Sequence, residues 1–140
     1  LTPNLTEACI LTDTPYREDF TEGELTELCK RLSESGPQEI VISGIHLADD
    51  LGNFVYSQGK TAMLRAHRVG GYRSGTGDVF GAILAAELVN GVTLEASVRK
   101  AADFITKTIL YTRKLGVPET DGICFEEYLW ELGQDKEAAR

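Results

Sequence analysis

Nine residues carry most of the chemistry in this chain: Gly70-Gly71-Tyr72-Arg73-Ser74-Gly75-Thr76-Gly77-Asp78, running straight into the apolar stretch Val79-Phe80-Gly81-Ala82-Ile83-Leu84. Gly75 and Gly77 permit backbone angles that other residues resist, so successive N–H groups can converge on one point. A helix that starts after such a loop adds its unpaired N–H groups and the positive end of its dipole. The combination is an anion site, most often one for phosphate. Asp78 is the odd member, because a carboxylate repels the anion unless it has a separate task. As a general base it would take a proton from a substrate hydroxyl while the amides hold phosphoryl charge. As a helix cap it would only satisfy backbone donors. The loop by itself leaves both open.

Two further segments hold residues of this kind. Asn4-Leu5-Thr6-Glu7 places an N-cap Asn three residues before a Glu, a variant of the capping box. The functional alternative puts Asn4 and Glu7 in a crevice at the carboxyl end of a strand, with Glu7 reaching a magnesium ion through water. Glu39-Ile40-Val41-Ile42-Ser43 is a β-branched run of the kind buried in a parallel sheet, and it ends in Ser43-Gly44, on the ligand edge.

The elements that must position these residues follow from periodicity and punctuation. Pro3 forces its predecessor toward extended geometry, so residues 1–3 read as a strand end, and a short helix follows to about Thr12. Thr21 and Glu24 form a capping box for a helix over 21–35, with Leu25, Leu28, Cys29 and Leu32 as its apolar stripe and Gly36-Pro37 as its stop. Strand, helix and strand in this rhythm imply a crossover connection. Residues 53–57 and 62–67 read as two strands joined at Gln58-Gly59-Lys60, an antiparallel hairpin at one edge. A helix over 78–90 ends at Gly91, and Gly81 inside it implies close packing or close ligand approach. Thr93 caps the next helix, whose apolar face is Leu94, Val98, Ala101, Ala102, Ile105 and Ile109. Residues 125–132 are expected to form a last amphipathic helix, and 133–140 a frayed tail.

Composition bounds the rest. With 140 residues, 42% hydrophobic and 26% charged, the chain is expected to form one domain with a real core. A net charge of −8 argues against nucleic acid or an anionic membrane as partner, so phosphate binding must come from local amides and dipoles. No apolar run is long enough to span a bilayer. Cys9, Cys29 and Cys124 lie among apolar residues without Cys-x-x-Cys spacing, which reads as buried reduced thiols and a cytoplasmic setting. His46 and His67 lack metal-ligand spacing and read as surface or pocket-wall residues. The opening at Leu1 rather than Met suggests an internal start.

Taken together, Thr2-Pro3-Asn4-Leu5-Thr6-Glu7-Ala8, Ile40-Val41-Ile42-Ser43-Gly44 and Gly75-Thr76-Gly77-Asp78-Val79-Phe80 resemble the second half of the ribokinase-like kinases, and within them most closely the pyridoxal (vitamin B6) kinases. The resemblance runs from Leu1 to about Leu132. It implies an α/β fold of three-layer α/β/α type, here the C-terminal ATP-binding half, with a mostly parallel sheet and an antiparallel edge hairpin. It implies that Asp78 is the base toward the 5′-hydroxymethyl group of pyridoxal, pyridoxine or pyridoxamine, with Gly75, Thr76 and Gly77 as the anion hole. Thr2, Asn4, Ser43, Gly44, Val69, Thr76 and Phe104 would contact ATP, and Glu7 would serve Mg2+, through water. A homodimer is implied for the full-length protein, and the substrate-binding residues and lid belong mainly to a half preceding the Thr-Pro-Asn segment. Ser43-Gly44 departs from the Thr-Ser pair found in some pyridoxal kinases. A hydroxymethylpyrimidine or sugar kinase of the same superfamily, and a non-catalytic nucleotide-binding module, are the rival readings.

Overall fold

The computed structural model describes residues 1–71 and 73–134. Two helices, α1 (Leu5–Leu11) and α2 (Glu22–Ser33), precede the meander β1 (Glu39–Leu47), β2 (Asp50–Ser57) and β3 (Lys60–His67). Then come α3 (Thr76–Val89) and α4 (Leu94–Lys114), two 3-10 turns at Glu119–Asp121 and Glu126–Tyr128, and the single turn α5 (Glu131–Gln134).

Alternation along the strands builds two cores. Ile40, Ile42, Phe54 and Tyr56 point to one face of the sheet, where Leu5, Ala8, Cys9, Leu25, Leu28, Cys29 and Leu32 of α1 and α2 cover them. Val41, Val55 and Leu64 point to the other, against Phe80, Ile83 and Leu84 of α3 and Leu94, Val98, Ala101 and Phe104 of α4. The result is the three-layer α/β/α arrangement expected from the sequence.

The direction of the strands differs from the expectation of a mostly parallel sheet. Among the described residues the three named strands are antiparallel in the order β1-β2-β3. Among the described residues, parallel pairing is confined to residues 1–4 along the outer edge of β1: Leu1 N donates to Glu39 O at 2.8 Å, Val41 N to Leu1 O and Ser43 N to Pro3 O at 2.9 Å each, and Asn4 bridges Ser43. The apolar run Ile40-Val41-Ile42 reports that both faces of β1 are covered, which helices on either side achieve whatever the strand direction. Direction was set instead by a tight turn at Ala48-Asp49, between the paired Leu47 and Asp50, with Ala48 at φ 53°. No glycine marks that turn. The β2–β3 connection was legible: Gln58 and Gly59, at φ 49° and 85°, join the paired Ser57 and Lys60.

The helix signals translate directly into caps. Asn4 Oδ1 accepts from Glu7 N and Glu7 Oε2 from Asn4 N, both at 2.8 Å, and Thr21 and Glu24 form the same reciprocal pair on α2. Thr93 accepts from Ala96 N at 3.4 Å. The expected helix over 125–132 is instead a 3-10 turn followed by the short α5, and residues 135–140 of the expected tail lie outside the described residues. Cys9 and Cys29 are buried and Cys124 is half-buried, all as free thiols; burial pushes the Cys29 thiol up to about 12 and raises that of Cys9. Among the described residues no helix is long and apolar enough to cross a membrane.

Candidate active site

Three pieces of backbone meet at one cleft of about 670 Å³. Residues 1–4 end against β1, and α1 starts there. β1 is interrupted at Ser43-Gly44, where two residues lie opposite Asn53 alone, because pairing steps from Ile42–Phe54 to Ile45–Gly52. Gly44 takes φ 71°, which a side chain would resist, so this bulge is where glycine is needed. β1 therefore continues past the expected end at Ser43, carrying His46 onto the cleft wall. The third piece is the glycine loop. Gly75 is the N-cap of α3, at φ 82° and ψ −7°, and makes no side-chain cap.

The helix consequently begins at Thr76, and Asp78 falls at its third position, not at its cap. Val79 N is the first amide to find an intrahelical partner, donating to Gly75 O at 3.1 Å. The amides of Thr76, Gly77 and Asp78 are left open beside the cleft that these residues line. The exposed Asp78 carboxylate takes part in no hydrogen bond or ion pair among the described residues. The N-cap position, one of the two readings of Asp78 from the sequence, is occupied by Gly75, which offers no side-chain cap.

The cleft brings together Thr2, Asn4, Glu7, Ser43, Gly44, Val69, Thr76, Gly77 and Asp78. Gly75 stands next to it as the cap. Phe104 is not brought there: it is 5% exposed and sits in the core beneath the sheet. The next residue along α4 and the one a turn later, Ile105 and Ile109, line the cleft instead, joining Leu51 and Val69 as its apolar surface. A stripe drawn through the helix could not separate these two faces, since Phe104 and Ile105 are both apolar. Gly81 also reads differently, because a Cβ there would stand 3.5 Å from Thr2 Oγ1, an ordinary contact.

Sequence reasoning missed Arg68, Tyr16 and Glu18, which also line the cleft. It also missed Arg73, a buried cation in the glycine loop whose only signal was a charge among glycines.

The donor set suits a nucleotide and its metal. Open amides at a helix N-terminus accept phosphate charge, and a cleft of this volume with an apolar wall is of the size that holds small ligands. Glu7 uses only Oε2 for its cap. Among the described residues no three His, Cys, Asp or Glu side chains cluster to hold a metal. A magnesium ion here would be held by Glu7 with phosphate oxygens and water, the coordination it usually keeps.

The fold is that of a group of small-molecule kinases. It superposes with a TM-score of 0.88 and 30% identity on a Bacteroides thetaiotaomicron structure named as a phosphomethylpyrimidine kinase, covering 94% of this chain and 46% of that one. A second crystal form of that protein is with pyridoxal. The pyridoxal kinase of Lactobacillus plantarum shares the fold at a TM-score of 0.84 and 24% identity, over 98% of this chain and 50% of its own. Among curated relatives, the hydroxymethylpyrimidine/phosphomethylpyrimidine kinase of Haemophilus influenzae is 30% identical over 122 residues, 83% of this chain and 44% of its own length. The family profile of phosphomethylpyrimidine kinase matches residues 1–122, and the chain belongs to that family. It spans about half the length of the Haemophilus influenzae and Streptomyces coelicolor kinases it matches, at 44% and 47%.

Proposed function

We propose that this chain carries the nucleotide and general-base part of an ATP-dependent kinase acting on a hydroxymethyl group of an aromatic nitrogen heterocycle. One observation supports it most: the carboxylate of Asp78, without a partner among the described residues, stands beside the open amides that begin α3, in the same cleft as Asn4, Glu7 and Ser43. In the step, Asp78 takes the proton of the substrate hydroxyl as its oxygen attacks the γ-phosphorus. The bond from that phosphorus to the ADP oxygen breaks, and the electron pair leaves with ADP. The amides of Thr76 and Gly77 hold the charge of the transferring phosphoryl group, so catalysis rests on positioning and electrostatic stabilisation. Glu7, whose Oε1 is not used in the cap, would hold a magnesium ion through water beside Asn4, and that ion would neutralise charge on the phosphate oxygens.

A hydroxymethylpyrimidine is the first acceptor, favoured by the family and by the Haemophilus relative. Pyridoxal is the second, favoured by the pyridoxal form of the 30% identical Bacteroides structure and by the motif resemblance described above. The test is ADP release with Mg-ATP across hydroxymethylpyrimidine, its monophosphate, pyridoxal, pyridoxine and a sugar. Turnover with a heterocycle and none with the sugar is expected. With the full-length protein, a preference for the sugar refutes the acceptor class, and the absence of both turnover and binding of a non-hydrolysable ATP analogue refutes the kinase reading.

A further inference from the structure

Arg73 lies in the glycine loop at 4% exposure, with its guanidinium spent on backbone. Nη1 donates to Pro118 O at 3.0 Å and to Gly122 O at 3.1 Å, and Nη2 donates to Val117 O at 3.0 Å. All three acceptors belong to residues 117–122, the segment that follows α4. Glu119 and Asp121 lie on that segment, yet the ion pairs among the described residues do not include Arg73. The backbone carbonyl of Arg73 accepts from Thr76 Oγ1 at 3.2 Å. One residue is therefore tied to the first turn of α3 through its backbone and to 117–122 through its side chain. Gly122 closes the junction from the far side: it holds φ 83° and ψ −150°, and a Cβ there would stand 3.3 Å from Ser74 O.

Neutral carbonyls satisfy the donors of a guanidinium but leave its charge uncompensated, and a buried charge without a counter-ion is costly. Arg73 also lines the cleft onto which the amides of Thr76, Gly77 and Asp78 open. The charge missing from the protein is of the sign that a phosphate would bring. The planar fork is also what allows one side chain to hold three carbonyls, which a lysine ammonium on a flexible stem cannot reproduce.

We propose that Arg73 is the positioning residue of the anion loop. Its clamp on the carbonyls of Val117, Pro118 and Gly122 holds the loop so that the α3 amides face a phosphate, and its unpaired charge adds to their attraction. This rests on the nucleotide reading above. The test is calorimetric titration of the 140-residue chain with pyrophosphate and, separately, with adenosine. Arg73→Lys keeps the charge and loses the fork; the thermal midpoint falls because buried carbonyls lose their donors, and in the folded variant pyrophosphate affinity falls by about tenfold or more, while adenosine affinity stays close to that of the unmodified protein. A merely structural arginine would weaken both ligands together. Gly122→Ala strains the anchor and alters no charge; it weakens pyrophosphate in the same direction, and it decides the matter alone if Arg73→Lys does not fold. Unchanged pyrophosphate binding in the folded variant, or equal losses for both ligands, overturns the proposal. Adenosine binding without pyrophosphate binding in the unmodified chain overturns it while leaving the nucleotide reading standing. Binding of neither ligand removes both.

Discussion

Asn4 and Ser43 are partners in a parallel bridge, so two residues separated in sequence by α1 and α2 stand side by side at the cleft. The adjoining Ser43 N–Pro3 O bond, 2.9 Å long, fixes that register. Asn4 begins α1 and Ser43 begins the bulge in β1, and both elements turn away from the same point. The site is thus a meeting of chain ends and irregularities: a cap, a bulge and a left-handed glycine, each placed where regular hydrogen bonding stops.

Asp78→Asn isolates the base. Asn has the shape of Asp, and no hydrogen bond or ion pair to the carboxylate is lost among the described residues, so the fold is unaffected. Turnover with Mg-ATP and the preferred acceptor falls by about 10²–10⁴-fold. Affinity for a non-hydrolysable ATP analogue stays nearly constant or tightens, since a negative charge leaves the phosphate site. Initial rates and calorimetry on the same preparation check both halves, and undiminished turnover would remove Asp78 from the reaction.

Asn4 and Glu7 have a structural duty and a proposed functional one, and two substitutions separate them. Asn4→Ala removes the acceptor for Glu7 N and costs about 1 kcal/mol, the usual loss for an N-cap, read as a lower thermal midpoint. Glu7→Gln keeps an amide oxygen to accept from Asn4 N, so the midpoint hardly moves. It loses the charge, however, and the magnesium dependence of nucleotide binding weakens. A magnesium dependence untouched by Glu7→Gln would confine this pair to capping.

Much of this arrangement was legible because its signals are local. The capping boxes at Asn4/Glu7 and Thr21/Glu24 need only four residues, and each forms as the spacing implies. Gly59 marked its hairpin, whereas the helix expected over 78–90 begins two residues earlier, at Thr76. What escaped depends on contacts distant in sequence or on turns without a marker. Ala48 adopts φ 53° with no glycine to announce it, so β1 and β2 were not seen as a hairpin. Arg73 finds its three carbonyls beyond α4, a relation that no periodicity encodes. Phe104 and Ile105 differ only in which way the helix faces, which the packing of α4 on the sheet decides.

That last pair yields a contrast in mutation. Phe104→Ala empties part of the core shared by α3, α4 and the sheet, and costs about 3–5 kcal/mol. Ile105→Ala and Ile109→Ala trim the wall of the cleft, where each residue is half-buried. They lower nucleotide affinity with a smaller loss of stability. Chemical denaturation paired with nucleotide titration distinguishes them; a selective loss of nucleotide binding in a stable Phe104→Ala variant would return Phe104 to the site.

Glu24 sets an acid limb on stability at the start of α2. Its carboxylate is held by Arg17, first of all, and by the Thr21 backbone N–H and hydroxyl, each at 2.9 Å. These lower its pKa from an ordinary 4.5 to about 2. The folded state therefore releases this proton more readily than the unfolded chain, so its contribution to stability is complete above pH 4.5 and is lost as pH falls through about 2. Glu24→Gln, which carries no titrating group, should show a shallower decline of the unfolding midpoint across that window than the unmodified protein. Because Glu24 is exposed, added salt should shrink the difference between the two. Parallel acid profiles for the two proteins at low salt would show that the Arg17–Glu24 pair contributes nothing to holding the start of α2.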